Sequence, residues 1–375
     1  MHDFKHFADE LTRLDQMGRR RELQPRSITG VTFDHDGQTL INFGSNDYLG
    51  LSSSNTAPDG VRGSGASALV CGWTDDHQSL ANAIARLEST ESAVVFPSGY
   101  AACSGAVATL ARKGDLILSD QLNHASLIDG CRMSTAQCMV YPHRNCASVA
   151  ELLSLHQIKY ETIWIVTDSV FSMDGNVAPL VQLCELADQF GATVLVDEAH
   201  GTGVLGATGS GGCEELGVKH RVPVRIGTLS KAIGCQGGFV AGPQVVIDYL
   251  INRCRSLIYS TSLAPTVVTS AIDSIAKIKS EPERRIRVRE LSARLRDQLG
   301  IAREGIENEI PIIPIIIGGE QETVQRSQQL WEQGFYVPAI RPPTVPDKSS
   351  RLRISLSADH TDEMVDQLVT ALRQS

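Results

Sequence analysis

The chain has 375 residues, of which 42% are hydrophobic, and a formal net charge of −9. That size suits one large domain plus a smaller one. The acidic balance, with no basic run longer than Arg19-Arg20-Arg21, argues against nucleic acid or an anionic membrane as the main partner.

The first fifty residues predict a helix ("HFADELTRLDQM") and then a hairpin turning at Asp36-Gly37. From about Asp76 a regular alternation begins. "AVVF" (93–96) is an expected strand, and "GYAACSGAVATLARKG" an expected helix closed by Gly114. "LILS" (116–119), a helix from Ser126, "CMVY" (138–141) and "IWIVT" (163–167) follow. A helix over about 179–190 carries Leu180, Leu183, Cys184, Ala187 and Phe190 at amphipathic spacing. "TVLVD" (193–197), "VRIG" (224–227) and "GFVAG" (238–242) complete the strand set. Short apolar strands alternating with helices predict an α/β fold: a mostly parallel central sheet covered by helices, with ligands bound beyond the carboxyl ends of the strands.

Past residue 250 the pattern changes. Helices are expected at 264–281, 283–299 and 323–334, strands at 312–317, 337–340 and 351–356, and a last helix from Asp362. This predicts a smaller C-terminal α+β domain, and a division into 1–50, 51–250 and 251–375. The apolar run "IPIIPIIIGG" is short and broken by Pro314, so it reads as a buried strand and not a membrane span. No charged start leads into an apolar stretch, so no secretory signal is expected. Nine cysteines without a C-x-x-C pair read as reduced thiols in a cytoplasmic protein, with no metal site.

Two motifs mislead. "VLVDEAH" (194–200) resembles the acidic box of a nucleotide-driven helicase, but the chain has no Gly-Lys pair and so no phosphate loop. "GTGVLG" (201–206) matches G-x-G-x-x-G, yet no helix opens on it and another glycine run follows.

A different set survives. Asp197 ends one expected strand, and His200 follows in the turn. Lys231 follows the next strand, past Thr228 and Ser230. "PSGYAA" (97–102) and "NHAS" (123–126) open helices after two further strands. Pyridoxal 5′-phosphate (PLP) explains the group. Lys231 supplies the amine that condenses with its aldehyde. Asp197 supplies the carboxylate that favours a protonated ring nitrogen. Gly99 and Tyr100 offer N–H groups at a helix start and Thr228 a hydroxyl for the phosphate. His124 offers a flat face and His200 a hydrogen bond to the phenolic oxygen, while glycines 234, 237 and 238 let backbone approach closely.

"TDSVFSMDGNVAPL" (167–180), "VDEAHGTGVLG" (196–206) and "GTLSKAIG" (227–234) resemble the α-oxoamine synthases, which are fold-type I PLP enzymes. The resemblance runs from "FGSNDYLGLS" (43–52) to "RLRISLSADH" (351–360). It implies a PLP-dependent acyltransferase that joins an amino acid to an acyl thioester with loss of carbon dioxide. "AIRPPTVP" (339–346) and "LIYSTSLAP" (257–265) are most similar to the member that uses L-alanine and a pimeloyl thioester, carried on CoA or a carrier protein. A sister reaction, such as glycine with acetyl-CoA, and a silent partner subunit are the alternatives. The resemblance further implies that Ser172 contacts the oxygen side of the cofactor and that Thr261 reaches the phosphate of a second copy in a homodimer. It implies too that Asn46 and Arg353 hold substrate carboxylates, that one of Arg19 to Arg21, with Arg20 and Arg21 the candidates, meets substrate, and that Thr344 lies in a segment closing over the site. Two places depart from the family pattern: Asn145 stands where relatives show Asp, and Trp73 shapes an acyl entrance or simply packs. The stretch "RRIRVRELSARLR" (284–296) reads as an exposed charged helix face, or as a basic contact for a carrier protein.

Overall fold

The computed structural model describes residues 5–53 and 62–374. The chain forms two compact units. The larger covers 49–172 and 176–287. The smaller takes the N-terminal stretch up to Tyr48, residues 173–175, and everything described from Val288 onward.

The larger unit is built on a seven-stranded sheet in the order Ser92–Phe96, Gly238–Gly242, Val224–Thr228, Thr193–Asp197, Ile163–Asp168, Leu116–Asp120, Gln137–Tyr141. The last five of these run parallel. Gly238–Gly242 is antiparallel to both neighbours. It follows Thr228 after too few residues for a crossover helix, so the chain can only turn back on itself. The loop of that turn carries Lys231.

Two apolar clusters cover the sheet. Val94, Phe96, Ala106, Leu195 and Ile226 belong to one, and Leu118, Ile165, Leu180, Leu183 and Val196 to the other. The first helix after the sheet begins, Gly99–Leu110, stops four residues short of Gly114, which instead takes a positive φ in the turn that follows. Asn145 caps the helix Cys146–His156 by accepting from Ser148 N–H at 2.9 Å, a task for which asparagine and aspartate are equivalent. Trp73 packs its ring 5.4 Å from His77 and donates to Gln78 Oε1 at 3.3 Å.

The unit bounds differ from the expected division. The helix Pro265–Ser280 belongs to the larger unit, where it packs on Asp75–Glu88 through a stripe including Val268, Ala271 and Ile275. The N-terminal hairpin belongs to the smaller unit, because Gln38–Asn42 pairs in parallel with Phe335–Tyr336. Asp36 and Gly37 both have positive φ at its tip, as a two-residue hairpin turn requires. Elsewhere in the smaller unit Ile312–Gly318 and Ser350–Ser355 pair antiparallel.

The helix Glu283–Leu299 is not the exposed charged face its arginines predicted, nor a free basic patch. Arg296 is buried and donates to the carbonyls of Asn308, Ile310 and Ile312. Arg285 is buried and donates to Ala207 O at 2.7 Å. Arg289 pairs with Glu309, and Arg294 grips Asp366. Among the described residues, no helix is long and apolar enough to cross a membrane.

Candidate active site

Strand register places the chemistry. Asp168 and Asp197 are cross-strand partners at the carboxyl ends of adjacent parallel strands. Asp197 lies opposite Ile226, two residues before Thr228, and Thr228 and Phe96 both face Gly238. One rim of the sheet therefore gathers Asp120, Asp168, Asp197, Thr228 and the loops that follow each.

At its centre Lys231 Nζ lies 2.9 Å from His200 Nε2. A protonated Lys231 can only donate, and the ring then accepts through Nε2. Asp197 is buried. Its Oδ1 accepts from Ala199 N–H at 2.9 Å, and its Oδ2 from the Cys103 thiol at 3.0 Å. His124 caps the helix Ala125–Met133. Its Nδ1 accepts from Ser126 N–H at 3.3 Å, and burial lowers its pKa, which leaves a neutral ring with its proton on Nε2. The edge of that ring meets Tyr100 at 6.4 Å between centroids.

Beside these groups is a cradle with no room for side chains. A Cβ on Gly238 would lie 2.6 Å from both Gly99 Cα and Ser98 O, and one on Gly99 would lie 2.9 Å from Thr228 Oγ1. The start of the helix Gly99–Leu110 is thus pressed against the end of Val224–Thr228. Thr228 Oγ1 donates to Gly237 O at 2.9 Å and lies 2.7 Å from Ser230 Oγ. Gly234, at φ +71°, packs against the backbone of Leu51 and Ser52.

These residues fit PLP on their own chemistry. They offer an amine held by an imidazole, a buried carboxylate, a neutral flat ring, and a helix start with free N–H groups beside hydroxyls. Ser172 is half-buried, just past the end of the strand carrying Asp168, while Thr261 is exposed and forms a bridge with Ser67.

The smaller unit holds its own constellation. Arg353 is buried, and its Nη1 donates to Asn46 Oδ1 at 3.0 Å and to Ser355 Oγ at 2.6 Å. Arg21 donates to Pro342 O at 3.1 Å, and Thr344 is exposed. Arg20 is exposed beside Glu22, whereas Arg19 forks onto Glu320 at 2.7 and 2.6 Å.

Sequence reasoning missed three residues. Asp168 accepts from His124 N–H at 2.8 Å; burial and the charge of Asp197 push its pKa well up. Its signal was available, because it ends a strand just as Asp197 does. Cys103 had no such mark, since a cysteine in an apolar helix reads as core. His143 pairs with Asp120 Oδ1 at 2.9 Å and lies 3.2 Å from Asn176 Nδ2, and so braces the loop after Asp168.

A model of the aminotransferase class I and II family matches residues 38–372. The chain belongs to that family. An 8-amino-7-oxononanoate synthase of Lysinibacillus sphaericus is 41% identical to it over 382 residues, covering 98% of this chain and 97% of that one. Among solved structures, a serine palmitoyltransferase from S. paucimobilis with bound PLP–myriocin is 27% identical. It superposes with a TM-score of 0.91 over 99% of this chain and 96% of its own. The 8-amino-7-oxononanoate synthase of Francisella tularensis is also 27% identical, with a TM-score of 0.73 over 89% of this chain and 96% of its own. The family's aminotransferase title covers acyl-transferring relatives too, so the fold-type I expectation and the cofactor expectation both stand.

Proposed function

We propose that this chain joins L-alanine to a pimeloyl thioester, releasing carbon dioxide and the free thiol, to give 8-amino-7-oxononanoate. The chemistry rests on one observation: Lys231 Nζ held by His200 on the rim that carries Asp197. The choice of substrates rests on the near full-length similarity to the Lysinibacillus sphaericus enzyme. The protein works in the cytoplasm, where its nine free cysteines stay reduced, and it works as a homodimer. Exposed Leu69, Val70 and Tyr259, close in sequence to the bridged Ser67 and Thr261, offer an apolar patch for the second copy.

Bound PLP supplies an aldehyde that condenses with amines and a cationic ring that draws off the electron pair left at the substrate Cα. Lys231 would hold the cofactor, and its amine, when free, would move the proton at the substrate Cα. His200 orients that amine. Asp197 would face the ring nitrogen, where a carboxylate favours the protonated ring. His124 lays a neutral ring against the cofactor, which adds stacking without adding charge. Gly99, Tyr100 and Thr228 would anchor the phosphate, Ser172 would serve the oxygen side, and Thr261 would serve the phosphate of the second copy. Arg353 meets a carboxylate with its planar fork, with Asn46 beside it and Arg20 or Arg21 as a further cation. Thr344 belongs to the segment that shields the reaction.

A second reading uses serine and a long-chain acyl thioester; the TM-score of 0.91 to serine palmitoyltransferase favours it, and the 41% identity opposes it. Turnover with alanine, serine and glycine, each with pimeloyl-CoA and palmitoyl-CoA, decides. Alanine with pimeloyl-CoA is the expected pair. Borohydride reduction of the holoprotein followed by peptide mapping should place the pyridoxyl group on Lys231, and Lys231→Ala should abolish both turnover and label. A label on any other side chain would end the proposal.

A further inference from the structure

The helix Gly99–Leu110 opens at the phosphate cradle, and one turn further along, about 6 Å on, it presents Cys103 to Asp197. The thiol is buried among Val94, Phe96, Ala106, Leu195 and Ile226. Its proton is directed at Asp197 Oδ2, 3.0 Å away. The hydroxyl of Ser126 also faces it, and that hydroxyl is 2.7 Å from His124 Nδ1. A continuous line of side chains therefore runs from His124 through Ser126 and Cys103 to Asp197.

We propose that Cys103 is a positioning residue for the cofactor: its S–H holds the carboxyl of Asp197 correctly turned as the partner of the ring nitrogen. The inference rests on the reading of Asp197 given above. A thiol suits the post for two reasons. It is apolar enough to sit in the core, and it stays a neutral donor there, because burial and the charge of Asp197 push its own ionisation well up. Burial and the nearby Asp197 push the pKa of Asp168 well up, and Lys231 lies close enough to draw it down again. Asp197 is thus gripped at both oxygens, by Ala199 N–H on one and Cys103 S–H on the other.

The test compares wild type, Cys103→Val, Cys103→Ser and Cys103→Ala as apoproteins reconstituted with PLP. Valine is larger than the thiol by about a methyl group and donates nothing, serine is smaller but donates, and alanine is serine without its hydroxyl. Three readouts are taken: PLP affinity by fluorescence quenching, the pH profile of the bound cofactor's absorbance, and melting of the apoprotein. Valine should weaken PLP binding about tenfold and displace the absorbance profile, while serine should stay within about threefold of wild type. If the valine apoprotein melts early, serine against alanine carries the comparison, and serine should bind the tighter. Valine equal to wild type in affinity and profile would overturn the idea. So would serine as impaired as valine or alanine, because packing alone would then be at work. A wild type that takes up no PLP would instead remove the reading of Asp197, and this inference with it.

Discussion

Two carboxylates end adjacent strands directly opposite one another, yet their surroundings differ. Asp197 receives two donors, from Ala199 N–H and the Cys103 thiol. Asp168 is fully enclosed, lies next to the charge of Asp197, and has its pKa pushed well up by both. Both are buried, so the difference between them lies in their donors and not in access to water. Asparagine substitution should therefore discriminate them. Asp197→Asn removes the charge from the ring nitrogen and should lower turnover by about a hundredfold or more. Asp168→Asn keeps an oxygen to accept from His124 N–H and should cost no more than roughly fivefold, about 1 kcal/mol. Steady-state kinetics on the two variants checks this, and equal losses would refute the division of roles. The same pair shows what the sequence makes readable. A carboxylate at the end of an apolar strand is visible without coordinates, and Asp197 was found that way. Which donors reach each of two such carboxylates depends on distant parts of the chain, and Cys103 lies 94 residues away.

At the scale of elements, strands and amphipathic helices were legible from their periodicity, since burial on one or both faces imposes it. Orientation was not. "GFVAG" reads like its parallel neighbours because it is equally buried, and only the short loop before it fixes its reversed direction. Arginines in the helix Glu283–Leu299 misled for a related reason: a charged residue reads as exposed, but backbone carbonyls at the ends of neighbouring segments can satisfy a buried guanidinium. One junction in the smaller unit carries a measurable consequence. His360 stacks on Phe43 with centroids 4.4 Å apart, donates from Nε2 to Asn42 O at 3.2 Å, and accepts on Nδ1 from Ser357 N–H at 2.9 Å. Burial lowers its pKa from 6.5 to about 4. The folded state therefore binds fewer protons than the unfolded chain between those values. Its neutral ring contributes stability that is complete above pH 6.5 and lost as pH falls through 4, in total about 3 kcal/mol. Urea unfolding at a series of pH values should show that loss. His360→Phe should be less stable at pH 7 but should lose less on acidification, and an unchanged slope would show that another group is responsible.

For the whole molecule, the expected boundary near residue 250 followed a change of pattern, whereas the compact units follow contacts. A helix such as Pro265–Ser280 has the same amphipathic signature whichever body it packs on, so no local feature assigned it to the larger unit. The N-terminal hairpin joined the smaller unit through a pairing of Ile41 with Phe335, a separation no motif bridges. Assembly is the level at which the remaining expectation about Thr261 is tested. Val70 and Tyr259 are 77% and 71% exposed, and Leu69 is 55% exposed. Three large apolar side chains left in water would forfeit burial worth about 1.5–3 kcal/mol each, which a second copy seated on them would recover. Light scattering after gel filtration should then give a mass twice the 40.5 kDa of the chain. A charge placed on the patch, Val70→Glu, faces solvent in a single copy and leaves its core untouched. In a dimer that buries the patch it would have no partner, so the variant should run at 40.5 kDa and bind PLP more weakly. Thr261→Ala should weaken PLP without changing the mass, because it removes a contact and not the interface. A dimer that survives Val70→Glu with full affinity would mean that the patch faces something else and that Thr261 serves no second copy.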